Sequence, residues 1–300
     1  MFALALAAVL AVPAADPKLE TPKADPFVFA EGDRVVLLGS TLIEREQKYG
    51  HWELALTLKN PSKAVTFRNL GWSGDTVFCE SRGSFDGPSK GFQRTVSLVT
   101  ELKPTVIIIC YGHNESFDGE AGVKKFTDGL TKLINAVTPT KARIVLMSPT
   151  PFEQTQPLID AKAKNANLSL YIDAMKGVAE AKKLGFFDLY TAVLTGLGPN
   201  SNLETRTENG LHLSSKGYKS ISELFLGTQA PSSSDLTSLR EKIVEKNQLF
   251  FYRWRPQNET YLFGFRRGEQ GKNGKEIPEF DPLIAAVEKE INALVKKLTG

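Results

Sequence analysis

Arg34-Val-Val-Leu-Leu38-Gly39-Ser40-Thr41-Leu42 is the stretch that decides the fold class. Its first five residues form a β-branched and apolar run without polar alternation, which is typical of a parallel strand covered on both faces. The stretch then turns at Gly39 and opens a helical pattern that extends over roughly residues 42–58. A strand that runs directly into a helix predicts a right-handed β-α-β unit.

The same alternation of strand and helix continues along the chain. Strand patterns recur at residues 65–67, 105–109 and 143–147, and residues 186–189 are a candidate fifth strand. Helical patterns cover roughly residues 91–102, 121–137 and 158–184. This order predicts an α/β fold with a doubly wound parallel sheet of about five strands, flanked by helices on both faces as a three-layer sandwich.

Short polar and glycine-containing segments lie at the ends of these predicted strands. Gly39 closes the first strand, residues 69–74 follow the second and residues 112–114 follow the third. A fourth segment, residues 209–212, precedes the helix that begins near Ser214. Ligand sites of doubly wound sheets lie beyond the carboxyl ends of the strands, so we expect these segments to meet at one site.

In order and spacing, the four segments resemble the four blocks of the SGNH, or GDSL-type, hydrolase family. They read Gly39-Ser-Thr-Leu42, Asn69-Leu-Gly-Trp-Ser-Gly-Asp-Thr76, Tyr111-Gly-His-Asn-Glu115 and Asn209-Gly-Leu-His-Leu213, and the resemblance covers roughly residues 33–226. It implies the SGNH, flavodoxin-like sandwich and hydrolysis of an ester by a hydroxyl nucleophile. It also implies that no metal and no cofactor is required.

The resemblance also implies a role for each catalytic position. Thr41 aligns with the nucleophile and His212 with the general base. Gly74 and Asn114 align with the residues that donate hydrogen bonds to the oxyanion. Asn209 stands where the family has the Asp that orients the base.

Two of these positions depart from the family pattern. The hydroxyl of Thr41 can attack a carbonyl, but its β-methyl group restricts χ1 and crowds the approach. Ser40 is the alternative nucleophile, and a polar turn that only caps the helix is the structural alternative. Asn209 carries no charge to stabilise an imidazolium and can favour the wrong tautomer, and Glu208 is the alternative orienting residue.

Residues within these blocks or a few positions after them are predicted to bind the ligand: Ser40, Trp72, Tyr111, Arg45 and Arg82. Aromatic and guanidinium groups of this kind line ligand clefts large enough for a glycan. The leading hypothesis is an exported hydrolase that cleaves an O-acyl ester, for example of a carbohydrate. The alternatives are a binding protein that kept the pocket and lost the chemistry, and an envelope-associated interaction protein.

The two ends of the chain predict export and an added helical unit. Residues 1–15 carry no charge and match the apolar centre of a secretory signal peptide with a small-residue cleavage pattern, although the usual basic start is missing. They are too short to span a bilayer, and a buried N-terminal helix is the alternative. Cleavage would place the protein in the periplasm or outside the cell.

The predicted domains are the signal peptide at 1–15, an SGNH-like domain at 28–227 and a mostly helical extension at 235–300, after a linker of Gly, Pro and Ser composition. The extension ends in an amphipathic helix with apolar residues at Leu283, Val287, Ile291, Leu294 and Leu298. Residues 250–255 and 261–267 combine aromatics with Arg, so the extension either covers the hydrolase-like domain or docks a protein partner.

Composition excludes some other functions. The chain has 37 Lys and Arg against 34 Asp and Glu, with no long basic run and no zinc-ligand spacing, so a nucleic-acid partner is not expected. Cys79 and Cys110 are the only cysteines, which gives no disulfide framework, and Cys110 in its apolar run is predicted to be a buried core thiol.

Overall fold

A five-stranded parallel sheet forms the centre of the protein, in a computed structural model that describes residues 25–84, 87–157, 160–196, 205–227, 234–269 and 271–299. The strands are β1 (Arg34–Gly39), β2 (Thr66–Gly71), β3 (Val106–Cys110), β4 (Arg143–Met147) and β5 (Gly185–Phe187). Their order is β2-β1-β3-β4-β5, and every neighbouring pair is parallel. The doubly wound sheet predicted from the sequence is confirmed, including its fifth strand.

Helices cover both faces of the sheet. They are α1 (Thr41–Tyr49), α2 (His51–Lys59), α3 (Ser89–Glu101), α4 (Val123–Val137), α5 (Ala161–Lys182), α6 (Leu189–Gly196) and α7 (Ser215–Leu226). In β1, Val35 and Leu37 pack in one core cluster with α1, α2, α6 and α7, whereas Val36 and Leu38 pack in another with α3, α4 and α5. The two alternating sets of side chains therefore produce the three layers.

The helix predicted over residues 42–58 is two helices, because the backbone turns at Gly50. Gly50 has φ +67°, a left-handed conformation that favours glycine, and its N–H donates to the carbonyl of Glu46 at 2.8 Å. The apolar pattern continues across this position, so hydrophobic periodicity alone did not reveal the break.

The C-terminal helices pack on the hydrolase-like part and on each other. They are α8 (Ser234–Trp254), α9 (Glu259–Leu262) and α10 (Phe280–Thr299), which confirms the predicted helical extension. A cluster between α8 and α10 also reaches α2, and its buried members are Leu239, Ile243, Val287, Ile291 and Val295. In α10, Ile284 rather than Leu283 begins the buried stripe, and the side chain of Leu283 is 51% exposed.

One buried cation fastens α8 to the sheet layer. The Nζ of Lys246 lies 2.7 Å from the carboxylate of Glu53 in α2 and donates to the carbonyl of Phe67 in β2 at 3.1 Å. It also donates to Asn247 at 2.7 Å. These contacts support the hypothesis that α8 and α10 cover the hydrolase-like domain. The side chain of Phe265 is 85% exposed, so docking of a protein partner at this segment stays a proposal.

Two of the sequence predictions concern residues that the structure does not describe. The signal peptide at 1–15 and most of the linker, residues 228–233, lie outside the described residues. In the part of the chain that the structure describes, no helix is both long and apolar enough to cross a membrane.

Candidate active site

Thr41, Asn114 and His212 line one cleft, although they come from three distant segments of the chain. Thr41 follows β1, Asn114 follows β3 and His212 precedes α7. The remaining lining residues are Ser40, Leu42, Arg45, His113, Leu211, Leu213 and Tyr218. The cleft thus lies at the carboxyl edge of the sheet, where parallel sheets of this type place their sites.

Thr41 is the first residue of α1, and its side chain is half-buried at the cleft. Its Oγ1 accepts a hydrogen bond from the Gly74 N–H at 3.0 Å. Ser40 is 4% exposed and makes no side-chain capping bond to the helix, so the helix-capping alternative gains no support. Among the described residues, no hydrogen bond joins Thr41 to His212.

Gly74 presents its backbone N–H to Thr41 because of its own backbone conformation. Its φ is +73°, and a Cβ at this position would meet no atom within 4 Å. The glycine is therefore required by the left-handed conformation and not by crowding. This N–H, which the family resemblance assigns to the oxyanion, donates to the Thr41 hydroxyl in this structure and must turn to the carbonyl oxygen of a substrate to stabilise an oxyanion.

Asn114 connects two of the site segments. Its Nδ2 donates to the carbonyl of Asp75 at 2.6 Å. An amide nitrogen carries two hydrogens, so one anchors the residue and the other is available to a ligand oxygen.

The neighbouring carboxyl of Glu115 holds the same two segments together. It accepts hydrogen bonds from the backbone N–H groups of Val77 at 2.9 Å and Gly112 at 3.0 Å. Burial raises the pKa of Glu115 from 4.5 to about 7, while these two N–H donors oppose the rise.

We predict that Glu115 makes the protein less stable as the pH rises. The unfolded chain loses this proton near pH 4.5 and the folded protein near pH 7, so the folded state binds more protons between these values. The free energy of unfolding should therefore fall as the pH rises through that window, and Glu115→Gln should remove this part of the slope. Urea unfolding across the pH range measures it, with exposed Glu120→Gln as the control; equal slopes in wild type and Glu115→Gln would contradict the prediction.

Tyr111 and Arg82 lie beneath the cleft and not on its surface, which corrects the expectation that they line it. Tyr111 is 0% exposed and Arg82 is 3% exposed. The Arg82 Nε lies 2.6 Å from the Asp75 carboxylate, which also accepts from the Tyr111 hydroxyl at 2.9 Å. Arg82 further donates to the carbonyls of Leu70 and Gly39 at 2.9 and 3.3 Å. This buried network ties together the carboxyl ends of β1, β2 and β3.

Asn209, and not Glu208, contacts the imidazole of His212. The Oδ1 of Asn209 accepts from the backbone N–H of His212 at 2.8 Å and of Leu211 at 3.2 Å. These two donors fix which end of the amide is oxygen, so its Nδ2 must be the atom that faces His212 Nδ1, at 3.2 Å. An amide NH₂ only donates, and Nδ1 must therefore accept.

This contact determines the tautomer of His212. When Nδ1 accepts, the proton of the neutral imidazole sits on Nε2, and Nε2 becomes a donor that cannot take a proton from Thr41. Burial, and secondly the nearby charge of Arg45, lower the pKa of His212, with Glu208 opposing. The imidazole is thus neutral at pH 7, with an N–H in place of the lone pair that a general base needs.

Glu208 is held by a different partner. Its carboxylate lies 2.7 Å from the guanidinium of Arg45, which itself lines the cleft, and 3.4 Å from the hydroxyl of Tyr49. The expectation that Arg45 lies at the ligand cleft agrees with this position. Glu208 therefore acts on His212 only through its charge.

His113 is a cleft residue that the sequence analysis did not select. It is 4% exposed, and its Nε2 donates to the carbonyl of Thr150 at 2.6 Å, which leaves Nδ1 as an acceptor. Burial lowers the pKa of His113 to about 4, so it is neutral. Its place immediately before Asn114 was the one available signal.

Trp72 lies in a neighbouring groove with the C-terminal segment and not in the cleft. The guanidinium of Arg255 lies 3.4 Å from the centre of the Trp72 ring, and Trp254 packs edge-on against it at 5.9 Å. The extension therefore reaches to within two residues of Gly74.

The family model for the GDSL-like lipase/acylhydrolase family matches residues 32–220, and the chain belongs to this family. This match confirms the family resemblance that the four sequence blocks indicated. Curated protein sequences give no match to the chain.

Solved structures of enzymes share the fold at low sequence identity. LAE5, an alpha/beta hydrolase enzyme from the metagenome of Lake Arreo, Spain, is 20% identical with a TM-score of 0.51, over 67% of this chain and 96% of that one. A catalytic mutant of Axe2, an acetylxylan esterase from Geobacillus stearothermophilus, is 18% identical with a TM-score of 0.51, over 68% and 99%. BT4096, a gut microbial diltiazem-metabolizing enzyme, is 14% identical with a TM-score of 0.53, over 90% and 95%.

Proposed function

We propose that this protein is an exported SGNH-type hydrolase that cleaves an O-acyl ester, for example of a carbohydrate, with Thr41 as the nucleophile. The observation that carries the proposal is the meeting of Thr41, Asn114 and His212 in one cleft, with the Gly74 N–H directed at the Thr41 hydroxyl. Membership of the GDSL-like family and the fold shared with an acetylxylan esterase support the reaction class.

The proposed reaction proceeds in two acyl transfers. The Thr41 oxygen attacks the ester carbonyl while His212 takes its proton, and the carbonyl oxygen is stabilised by the N–H groups of Thr41 and Gly74 and by Asn114. His212 then returns the proton to the leaving alcohol, and water releases the acid from Thr41. The base step requires His212 to give up the Asn209 contact or to change tautomer, so we expect slow turnover.

A second candidate function is ligand binding without turnover, and the contact between Asn209 Nδ2 and His212 Nδ1 favours it. With its proton on Nε2, His212 would donate a hydrogen bond to an acyl or hydroxyl oxygen. Together with Asn114 and Gly74 it would form a set of donors that holds an ester without cleaving it.

Burst acylation by p-nitrophenyl acetate tests the hydrolase proposal. We expect Thr41→Ala to abolish the burst and His212→Ala to lower turnover at least about 100-fold, as general-base catalysis does. Ser40→Ala is the matched control and should retain activity. Absence of a burst in the wild type, together with unchanged turnover in His212→Ala, would exclude the proposal, and tight ester binding without product would favour the second candidate.

Export is part of the same proposal and needs its own test. The uncharged, apolar start of the sequence supports a cleaved signal peptide and a periplasmic or extracellular location. N-terminal sequencing of protein recovered from the cell envelope or medium should begin close to Ala14. Full-length protein in the cytosol would contradict export and leave the hydrolase proposal standing.

A further inference from the structure

A groove of about 430 Å³ lies beside the active-site cleft, between the segment after β2 and the C-terminal extension. We call it the aromatic groove. Trp72 and Glu44 line one side, and Trp254, Arg255, Gln257 and Phe263 line the other. Most of its wall therefore comes from the extension, which lies outside the part of the chain that matches the family model.

The aromatic groove adjoins the reacting group. Trp72 precedes Gly74 by two residues on the same turn, and the Gly74 N–H contacts Thr41. Glu44 follows Thr41 by one turn of α1, and its carboxylate accepts the N–H of Ser73. The groove and the cleft therefore share the turn at residues 72–74 and helix α1, although no residue lines both.

The groove contains buried donors without partners. Arg82, which is 3% exposed, also lines it, and its Nη1 has no hydrogen-bond partner among the described residues. The Nε1 of Trp254 is likewise buried and unpaired within the described part of the chain. Both nitrogens are sealed from the open groove as well as from solvent, so they offer no contact to a ligand in this conformation.

The guanidinium groups of the groove all face carboxylates. Arg255 pairs with Glu44 at 3.2 Å, Arg94 with Glu259 at 3.9 Å, and Arg82 with Asp75 at 2.6 Å. The charges balance, so the groove offers no surplus positive charge to an anionic ligand. Phe263, at 51% exposed, presents an open aromatic surface beside the polar Gln257.

We propose that the aromatic groove binds the neutral carbohydrate chain that carries the ester. The identity of the ligand as the carbohydrate part of an ester substrate rests on the proposed function. Binding of the carbohydrate itself does not require that the protein hydrolyses the ester. Aromatic surfaces, a polar Gln257 and balanced charge together match a neutral molecule that has apolar faces and hydroxyl groups. The extension thereby sets the alcohol specificity of the site.

Tryptophan fluorescence measures this binding directly, because Trp72 and Trp254 lie in the groove and the third tryptophan, Trp52, is 2% exposed in the core. Full-length protein carrying Thr41→Ala, which prevents turnover, is titrated with neutral tetrasaccharides of xylose, glucose and mannose. We expect saturable binding of at least one, and about tenfold weaker binding when Gln257→Ala and Phe263→Ala are added.

Phe265→Ala is the matched control, because Phe265 is 85% exposed in the same segment and does not line the groove. It should bind as the Thr41→Ala protein does. Binding of none of the three tetrasaccharides, or undiminished binding by the groove variant, would overturn the proposal whether or not the protein is an esterase.

Discussion

Replacing Asn209 with Asp is expected to raise the turnover of p-nitrophenyl acetate by up to about 10⁴-fold, the factor by which the reverse exchange lowers the rate in a serine protease triad. In this protein the backbone N–H groups of Leu211 and His212 hold one oxygen of residue 209, so the second atom must face Nδ1 of His212. A carboxylate oxygen there accepts the Nδ1–H, which moves the free lone pair to Nε2. Its charge also stabilises the imidazolium that forms when Thr41 attacks.

Three further variants test whether the tautomer of His212 is the cause. Glu208→Gln should not reproduce the gain, because Glu208 pairs with Arg45 and does not touch the ring. Adding His212→Ala to Asn209→Asp should abolish the gain, because the effect passes through the imidazole. Thr41→Ser should add to the gain by removing the β-methyl group that crowds the attacking oxygen. If Asn209→Asp leaves turnover unchanged while the protein remains folded, the tautomer is not what limits catalysis.

Replacing Arg82 with Met is expected to lower the free energy of unfolding by about 3–5 kcal/mol. The substitution leaves the carboxylate of Asp75, which is 0% exposed, without its buried cation. It also removes the donors that Arg82 gives to the carbonyls of Gly39 and Leu70 at the ends of β1 and β2. Denaturant unfolding of the purified variant measures the loss.

A milder variant and a surface control keep this prediction testable if Arg82→Met does not fold. Tyr111→Phe removes only the hydroxyl that donates to Asp75 and should cost about 1 kcal/mol. Arg267→Met replaces an exposed Arg and should change the free energy of unfolding by less than about 0.5 kcal/mol. A loss for Arg82→Met no greater than that of the surface control would show that the buried network does not stabilise the fold.

The sequence predicted the sheet well, because β3, and β1 and β4 after their exposed first Arg, are buried on both faces and are therefore apolar. Their ends place Thr41 and Asn114 at one edge by topology alone, since parallel strands share a direction. The break at Gly50 was missed because it depends on the conformation of one residue within a continuous apolar pattern.

The details of the candidate site depended on contacts that sequence does not carry. The sequence does not show whether an Arg near a ligand segment reaches solvent or pairs with a buried Asp. Arg82 was therefore expected to line the cleft, but it is buried beneath it. The direction of the Asn209 amide depends on two backbone N–H groups whose positions follow from the folded turn. The aromatic groove arises only where the C-terminal extension meets the Trp72 turn.

Asn209 is expected to hold a neutral His212 with its proton on Nε2, in the cleft that also contains Thr41 and Asn114. Long-range proton–nitrogen NMR correlations of the imidazole rings at mildly alkaline pH test it most directly, and the spectrum of His212→Ala assigns one of only three histidines. A protonated Nε2 and an unprotonated Nδ1 in the wild type, reversed in Asn209→Asp, is the expected result. A proton on Nδ1 in the wild-type ring would contradict the claim.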